Sequence, residues 1–129
     1  MENTELRLNN LVYDPNGKID TIHALTGGDC WLQWFKTASY FEIKPIPLAE
    51  EWLIKLDFED TSLAMSHISF RKGILEIVLD INDGEPLCME IYSDNNSKPS
   101  NTTIWNCPKN VHQLQNLFYC LTGRELTLK

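Results

Sequence analysis

Three places in this chain carry the residue types that do chemistry or make specific contacts. In "NVHQLQNLFYCLTGREL", near the end, His112, Gln115, Asn116 and Tyr119 recur at i, i+3, i+4 and i+7. A helix would align them on one face. None is fully charged at neutral pH, whereas a solvated helix face normally carries charged and polar side chains. A hydrogen-bonding strip that also holds an aromatic suits a contact from which water is excluded, because buried polar groups find partners. That contact could be with the chain's own N-terminal sheet, with another subunit or with a ligand. In the second place, Trp31 and Trp34 differ by three, so in a strand they point to opposite faces and at least one is left for stacking on a partner or a base. In the third, Glu76 and Asp80 project from one face of a strand, near where Glu90 of a neighbouring strand would lie.

Carboxylates so placed can act as acid and base only in a cleft that shifts a pKa, and a wet sheet face explains them more simply. For nucleophilic catalysis, His23, His67 and His112 with Cys30 or Cys120 supply the residue types without a signature spacing. No catalytic residue is assigned, and the reading leans away from an enzyme. Asp80, Asp83 and Glu85 in "DINDGE" are oxygen ligands of the kind Mg²⁺ or Ca²⁺ uses, but the twelve-position loop pattern is missing and a hairpin turn is the better account. Cys30, Cys88, Cys107 and Cys120 lack the close pairing of a zinc site and read as buried or part-buried thiols. "TGGD" has neither the P-loop lysine nor the spaced dinucleotide glycines. No metal and no cofactor are expected.

These groups must be positioned by 129 residues, enough for one core. Net charge is −7, with eleven acidic and five basic residues in 1–64 against seven and six in 65–129. Phosphate binding needs clustered Lys and Arg, and only "FRKG" approaches that, so nucleic acid is not an expected partner. "MENTELRLNN" lacks a basic region followed by an apolar one, and "GILEIVLDI" is too short and too acidic to span a bilayer. The expected location is the cytoplasm, with no membrane contact. The triplets at Asn95 and Asn101 are then chance matches to a glycosylation signal.

"ELRLNNLVYDPNGKIDTIHAL" reads as a hairpin about "DPNG", in which Pro15 presets φ and Asn16-Gly17 tolerate positive φ. "CWLQWF" and "YFEIKPI" would add two strands, giving a bent antiparallel β-unit over residues 1–46 that resembles an SH3-like half-barrel. In "IPLAEEWLIKLDF" the period changes, and Leu48, Trp52, Leu53 and Leu56 share one helical face. Pro47 suits the first turn, and Glu51 to Lys55 is a supported pair. "HISF", "GILEIVLDI" and "PLCMEIYS" form a meander, with Leu75, Ile77, Leu79 and Ile81 on one face and Ile74, Glu76, Val78 and Asp80 on the other. "SDNNSKPSNTT" is an exposed loop, and "TIWNC" supplies a further strand. The last helix has Asn110 as N-cap, Gln113 to close a capping box and Gly123 as its left-handed stop, with Val111, Leu114, Leu117, Phe118 and Leu121 toward the core. The class is α+β in one domain, the helix, meander and C-terminal helix occupying 47–129 and the C-terminal helix packed on the sheet.

"LRLNNLVYD", "KPIPLAEEWLIKLDFED" and "VHQLQNLFYCLTGREL", in that order, resemble a group of small uncharacterised proteins of phages and prophages of Bacteroidota. There the strings run approximately "LRIGNLV", "PIPLTEEWLLKLGF" and "VHQLQNLYFALTGEEL". Asn9 and Asp57 stand where that group has glycine, and both types tolerate left-handed φ. Ala49 replaces a helix-starting Thr, and Cys120 and Arg124 replace Ala and Glu. The resemblance implies a phage-linked origin and carries no catalytic site. The expected function is a non-catalytic accessory binding protein that engages a host component, either a defence protein or its nucleotide-like signal. His112, Gln115, Asn116, Tyr119, Trp31 and Trp34 are its candidate contacts. Two alternatives stand beside it: a small hydrolase with a His/carboxylate pocket beside the C-terminal helix, and a homo-oligomeric assembly subunit.

Overall fold

A computed structural model describes residues 5–62, 68–92 and 103–128 of the chain. In chain order the elements are β1 (Leu11–Tyr13), β2 (Ile19–Leu25), β3 (Asp29–Leu32), β4 (Lys36–Ser39), α1 (Glu50–Lys55), β5 (Glu59–Asp60), β6 (Ile68–Lys72), β7 (Leu75–Leu79), β8 (Pro86–Ile91), β9 (Thr103–Ile104) and α2 (Val111–Thr122). The class is α+β, with one four-stranded antiparallel sheet ordered β1-β2-β3-β4 and one five-stranded antiparallel sheet ordered β5-β6-β7-β8-β9. Two compact units result. The first comprises Met1–Pro47 and Asn110–Arg124, the second Leu48–Lys109 and Glu125–Lys129. α2 belongs with the N-terminal sheet and not with the meander.

In the first unit, β1 and β2 are joined by the expected turn. Asp14 Oδ1 accepts the N–H groups of Asn16 at 2.8 Å and Lys18 at 2.9 Å, and Gly17 takes φ +80. Alternate residues then enter the core: Val12, Ile22, Cys30, Leu32 and Ala38 are buried with Leu6, Tyr40 and Ile43. The strand expected across "YFEIKPI" lies earlier, at Lys36–Ser39. Buried Asp20 explains the shift, because its carboxylate accepts the N–H groups of Trp34 and Phe35 and turns the chain straight after Leu32. Lys36 leaves that turn at φ +87, and Tyr40–Glu42 forms the next one. Lys44 returns to pair with Tyr13, each donating to the other's carbonyl, so the free edge of β1 is covered there.

Asn9 sits at φ +75. Its N–H donates to the Ile22 carbonyl at 2.9 Å, while the Ile22 N–H donates to Asn10 at 3.0 Å, so two residues of the strap before β1 face one of β2. This is a bulge of the kind that takes glycine in the left-handed region. The Asn10 N–H also closes a turn on the Arg7 carbonyl at 3.1 Å, whose third residue needs the same positive φ. One backbone requirement, met by Asn9, therefore serves both devices.

The second unit follows the predicted periods closely. In α1, Trp52, Leu53 and the flanking Leu48 and Leu56 are buried, and Glu50, Glu51 and Lys55 face solvent. Pro47 lies before the helix, whose N-cap Ala49 makes no side-chain cap bond. Asp57 ends α1 at φ +68, and the Phe58 N–H reaches back to the Leu53 carbonyl at 2.9 Å. β7 buries Leu75, Ile77 and Leu79 and leaves Glu76 and Val78 half-exposed, whereas Ile81 falls in the following turn and is exposed. Gly84 takes φ +72 in that turn; Asp80 Oδ1 accepts from Asn82 N–H and Asp83 Oδ1 from Glu85 N–H. Short β5 and β9 extend the expected meander to five strands. The loop read at "SDNNSKPSN", with the triplets at Asn95 and Asn101, and His67 lie outside the described residues.

α2 starts and stops as its residues dictate. Gln113 Oε1 accepts the Asn110 N–H at 3.1 Å, and Gly123, at φ +73, donates to the Tyr119 carbonyl at 2.7 Å. Val111, Leu114 and Phe118 are buried as expected, and Leu117 and Leu121 are half-buried. The difference is that His112 and Gln115 are buried too, so the first two turns of α2 are enclosed over more than the apolar stripe.

Candidate functional site

Gln115, Asn116 and Tyr119 of the polar strip of α2 meet partners inside the first unit. Gln115 Oε1 accepts the Leu11 N–H at 2.8 Å and its Nε2 donates to the Asn9 carbonyl at 3.0 Å. One carboxamide thus meets the free edge of the chain at Asn9–Leu11 as the peptide group of a neighbouring strand would. Asn116 Oδ1 accepts from Asn10 Nδ2 at 2.8 Å and Arg7 Nε at 3.2 Å, and its Nδ2 donates to the Glu5 carbonyl at 2.9 Å. The Arg7 guanidinium lies 4.3 Å from the centroid of the Tyr119 ring, which remains part-exposed. His112 is fully buried, with the Glu5 carboxylate 3.6 Å from Nε2. Burial holds its imidazole below the ordinary histidine range, an effect that Glu5 partly offsets. Glu5, Arg7 and Asn10 were not legible as members of this cluster, because nothing local in "ELRLNN" points to a helix more than a hundred residues away.

Trp31 and Trp34 lie elsewhere in the same unit, and both are exposed, at 52% and 74%. In β3, Cys30 and Leu32 turn inward, so Trp31 stands on the outer face of the sheet, in register with Ala24 of β2 and Thr37 of β4. Its neighbours across the sheet are small, which leaves the indole uncovered. A register shift between Ile22 and Ala24 adds exposed His23 to this region. Trp34 is in the turn that Asp20 holds, not in a strand, so its exposure follows from the turn and not from strand alternation. His23 and Cys30 cannot cooperate from these positions: Cys30 Sγ donates to the Ala38 carbonyl at 3.4 Å within the core, and burial raises its thiol pKa. Cys88 and Cys107 are likewise buried with raised pKa, chiefly through desolvation, and only Cys120 of the four thiols is exposed.

The carboxylates of the second unit are ordered by strand register. Glu59, Arg71, Glu76, Glu90 and Thr103 form one row across all five strands. Glu76 accepts from Tyr92 O–H at 3.1 Å and from Thr61 Oγ1 at 2.7 Å, and Thr61 Oγ1 also lies 2.9 Å from Ser69 Oγ. Arg71 packs its guanidinium 3.5 Å from the Tyr92 ring centroid, and Thr103 Oγ1 donates to Glu90 at 3.2 Å. Tyr92, Arg71, Thr61 and Ser69 went unread in the sequence, though the alternation of "SFRKG" and "LEIVL" places Arg71 and Glu76 on matching faces. Asp80 turns to the hairpin and joins no pair with Glu76. Among the described residues no group of three or more His, Cys, Asp or Glu is gathered to hold a metal ion, and no helix is long and apolar enough to cross a membrane.

Comparison of the chain with protein-family models, with curated proteins and with solved structures gives no match.

Proposed function

We propose that this chain is a non-catalytic accessory binding protein of phage or prophage origin, and that it engages its host partner through Trp31, on the outer face of the first unit's sheet, and Trp34, in the turn that follows β3. The observation that supports this reading is the exposure of both indoles while the polar strip of α2 is occupied within its own unit. Buried aromatic anchors dominate the energetics of protein interfaces, and Trp is among the residues most enriched there. The partner is a protein, a defence component of the host, or the nucleotide-like signal such a component uses.

The test is recovery of the partner from lysogenic or infected cells with wild-type protein and with W31S/W34S, both verified as folded by circular dichroism. Native mass spectrometry of the same preparations detects a retained small molecule. Loss of a tryptophan anchor costs at least about 2 kcal/mol, so occupancy should fall roughly thirtyfold in the variant. Equal recovery by both proteins, or no occupant of either kind, rejects the reading. The hydrolase alternative finds a histidine and a carboxylate beside α2 in His112 and Glu5, but an imidazole sealed from solvent has no path to a substrate, and the binding reading is preferred.

A further inference from the structure

His112 is a polar side chain enclosed without the bonds that enclosure ordinarily requires. Its ring is fully buried and, among the described residues, neither Nδ1 nor Nε2 has a hydrogen-bond partner. Leaving a buried polar group in this condition costs about 1–3 kcal/mol. Among the described residues the Glu5 carboxylate faces it: that side chain is about half-exposed and its Oε2, 3.6 Å from Nε2, is outside hydrogen-bond range. Glu5 belongs to the strap of residues 5–10, which α2 holds through Gln115 and Asn116 and which anchors Leu6 in the core.

We infer that this strap is an acid-released cover: protonation of His112 opens it and frees the Gln115 and Asn116 carboxamides to hydrogen-bond elsewhere. A closed strap suits the neutral ring, which can stay dry. An imidazolium has two N–H donors to satisfy and is offered one carboxylate, too distant, on one side. Opening lets water reach both nitrogens.

Titratable and charged groups reach the surroundings of His112 from several elements. The strap contributes Glu5 and Arg7, the latter directed to Asn116 and Tyr119; β1 contributes Tyr13; the segment paired with it contributes Lys44; α2 adds Tyr119 and Cys120. Burial lowers the His112 pKa in the closed form, with Glu5 opposing, while the hydrated ring of the open form titrates near about 6.5. Above that value both forms are neutral and the closed strap is favoured. As pH falls from there toward the lowered value, the open form binds the proton first. The open-to-closed ratio then rises by at most about tenfold per pH unit.

Amide hydrogen exchange on the full chain, corrected for intrinsic rates, tests this between pH 7.5 and 5.0. The reporter is the Leu11 N–H, held by Gln115 Oε1. It should exchange about tenfold faster at pH 5.0 while amides of the β2–β3 pair are unchanged. H112L should abolish the response, and E5Q should leave its onset in place but enlarge it and carry it to lower pH, because the closed form loses the carboxylate that opposes the effect of burial. No acceleration in the wild type, equal acceleration at β2–β3, or the same response in H112L overturns the inference. If H112L does not fold, E5Q decides: an acceleration at pH 5.0 no larger than the wild type's overturns it.

Discussion

Leu11 donates its backbone N–H to a side chain, the Oε1 of Gln115, at 2.8 Å across 104 residues of sequence. The other end of the same carboxamide reaches the Asn9 carbonyl, so Gln115 satisfies one donor and one acceptor that no strand covers. A residue that looked like a surface candidate is instead a structural clamp between the chain's two ends within the first unit.

Replacing Gln115 by Leu keeps the volume and removes both bonds. The Leu11 N–H and the Asn9 carbonyl are then left unpaired, at about 1–3 kcal/mol for each buried group. Urea unfolding should show Q115L destabilised by about 2–4 kcal/mol. Q115E retains an acceptor for Leu11 but sets a second oxygen against the Asn9 carbonyl, and should also unfold earlier.

Asn9 and Asp57 each occupy the left-handed region without being glycine. Non-glycine residues pay about 1–2 kcal/mol there, with Asn and Asp at the lower end. N9G and D57G should therefore be neutral or raise the thermal midpoint slightly. N9V and D57V should lower it, since a β-branched residue fits this region worst.

Asp20 is buried and its carboxylate receives N–H groups from Thr21, Trp34 and Phe35. Hydrogen bonds to a charged group contribute about 1.5–3 kcal/mol each, and part of that is recovered when the turn relaxes into water. D20A should lose about 2–3 kcal/mol in denaturant titrations. D20N, which keeps one oxygen in place, should lose less.

Thiol accessibility gives a direct check on both cores. Cys120 is exposed, while Cys30, Cys88 and Cys107 are buried with pKa values raised chiefly by desolvation. Maleimide should add once to the native protein and four times after denaturation, and C120S should take no native label.

Much of the local architecture could be read directly from residue order. "DPNG" carries its own hairpin chemistry, the α1 face follows from a 3.6-residue period, and the stop at Gly123 needs nothing beyond the helix end. The two left-handed positions carry Asn9 and Asp57, residue types that tolerate that region. What could not be read depends on distant partners. β4 falls at Lys36–Ser39 because Asp20, fourteen residues before Trp34, turns the chain early. The destination of α2 is decided by Gln115 and Asn116 meeting backbone and side chains of the strap, and a periodic pattern shows only that a face exists. The Glu59–Arg71–Glu76–Glu90–Thr103 row likewise requires the register of five strands, two of them only two residues long.

The margin of β1 has a consequence for how the protein behaves when crowded. An uncovered strand margin is a template on which another molecule's strand can add, and repeated addition builds fibrils. Here Lys44 closes that margin at Tyr13 and the Gln115 carboxamide closes it at Asn9–Leu11. The N-terminal sheet therefore offers no continuous rail for zippering on that side, and removing the amide would uncover the stretch at Asn9–Leu11.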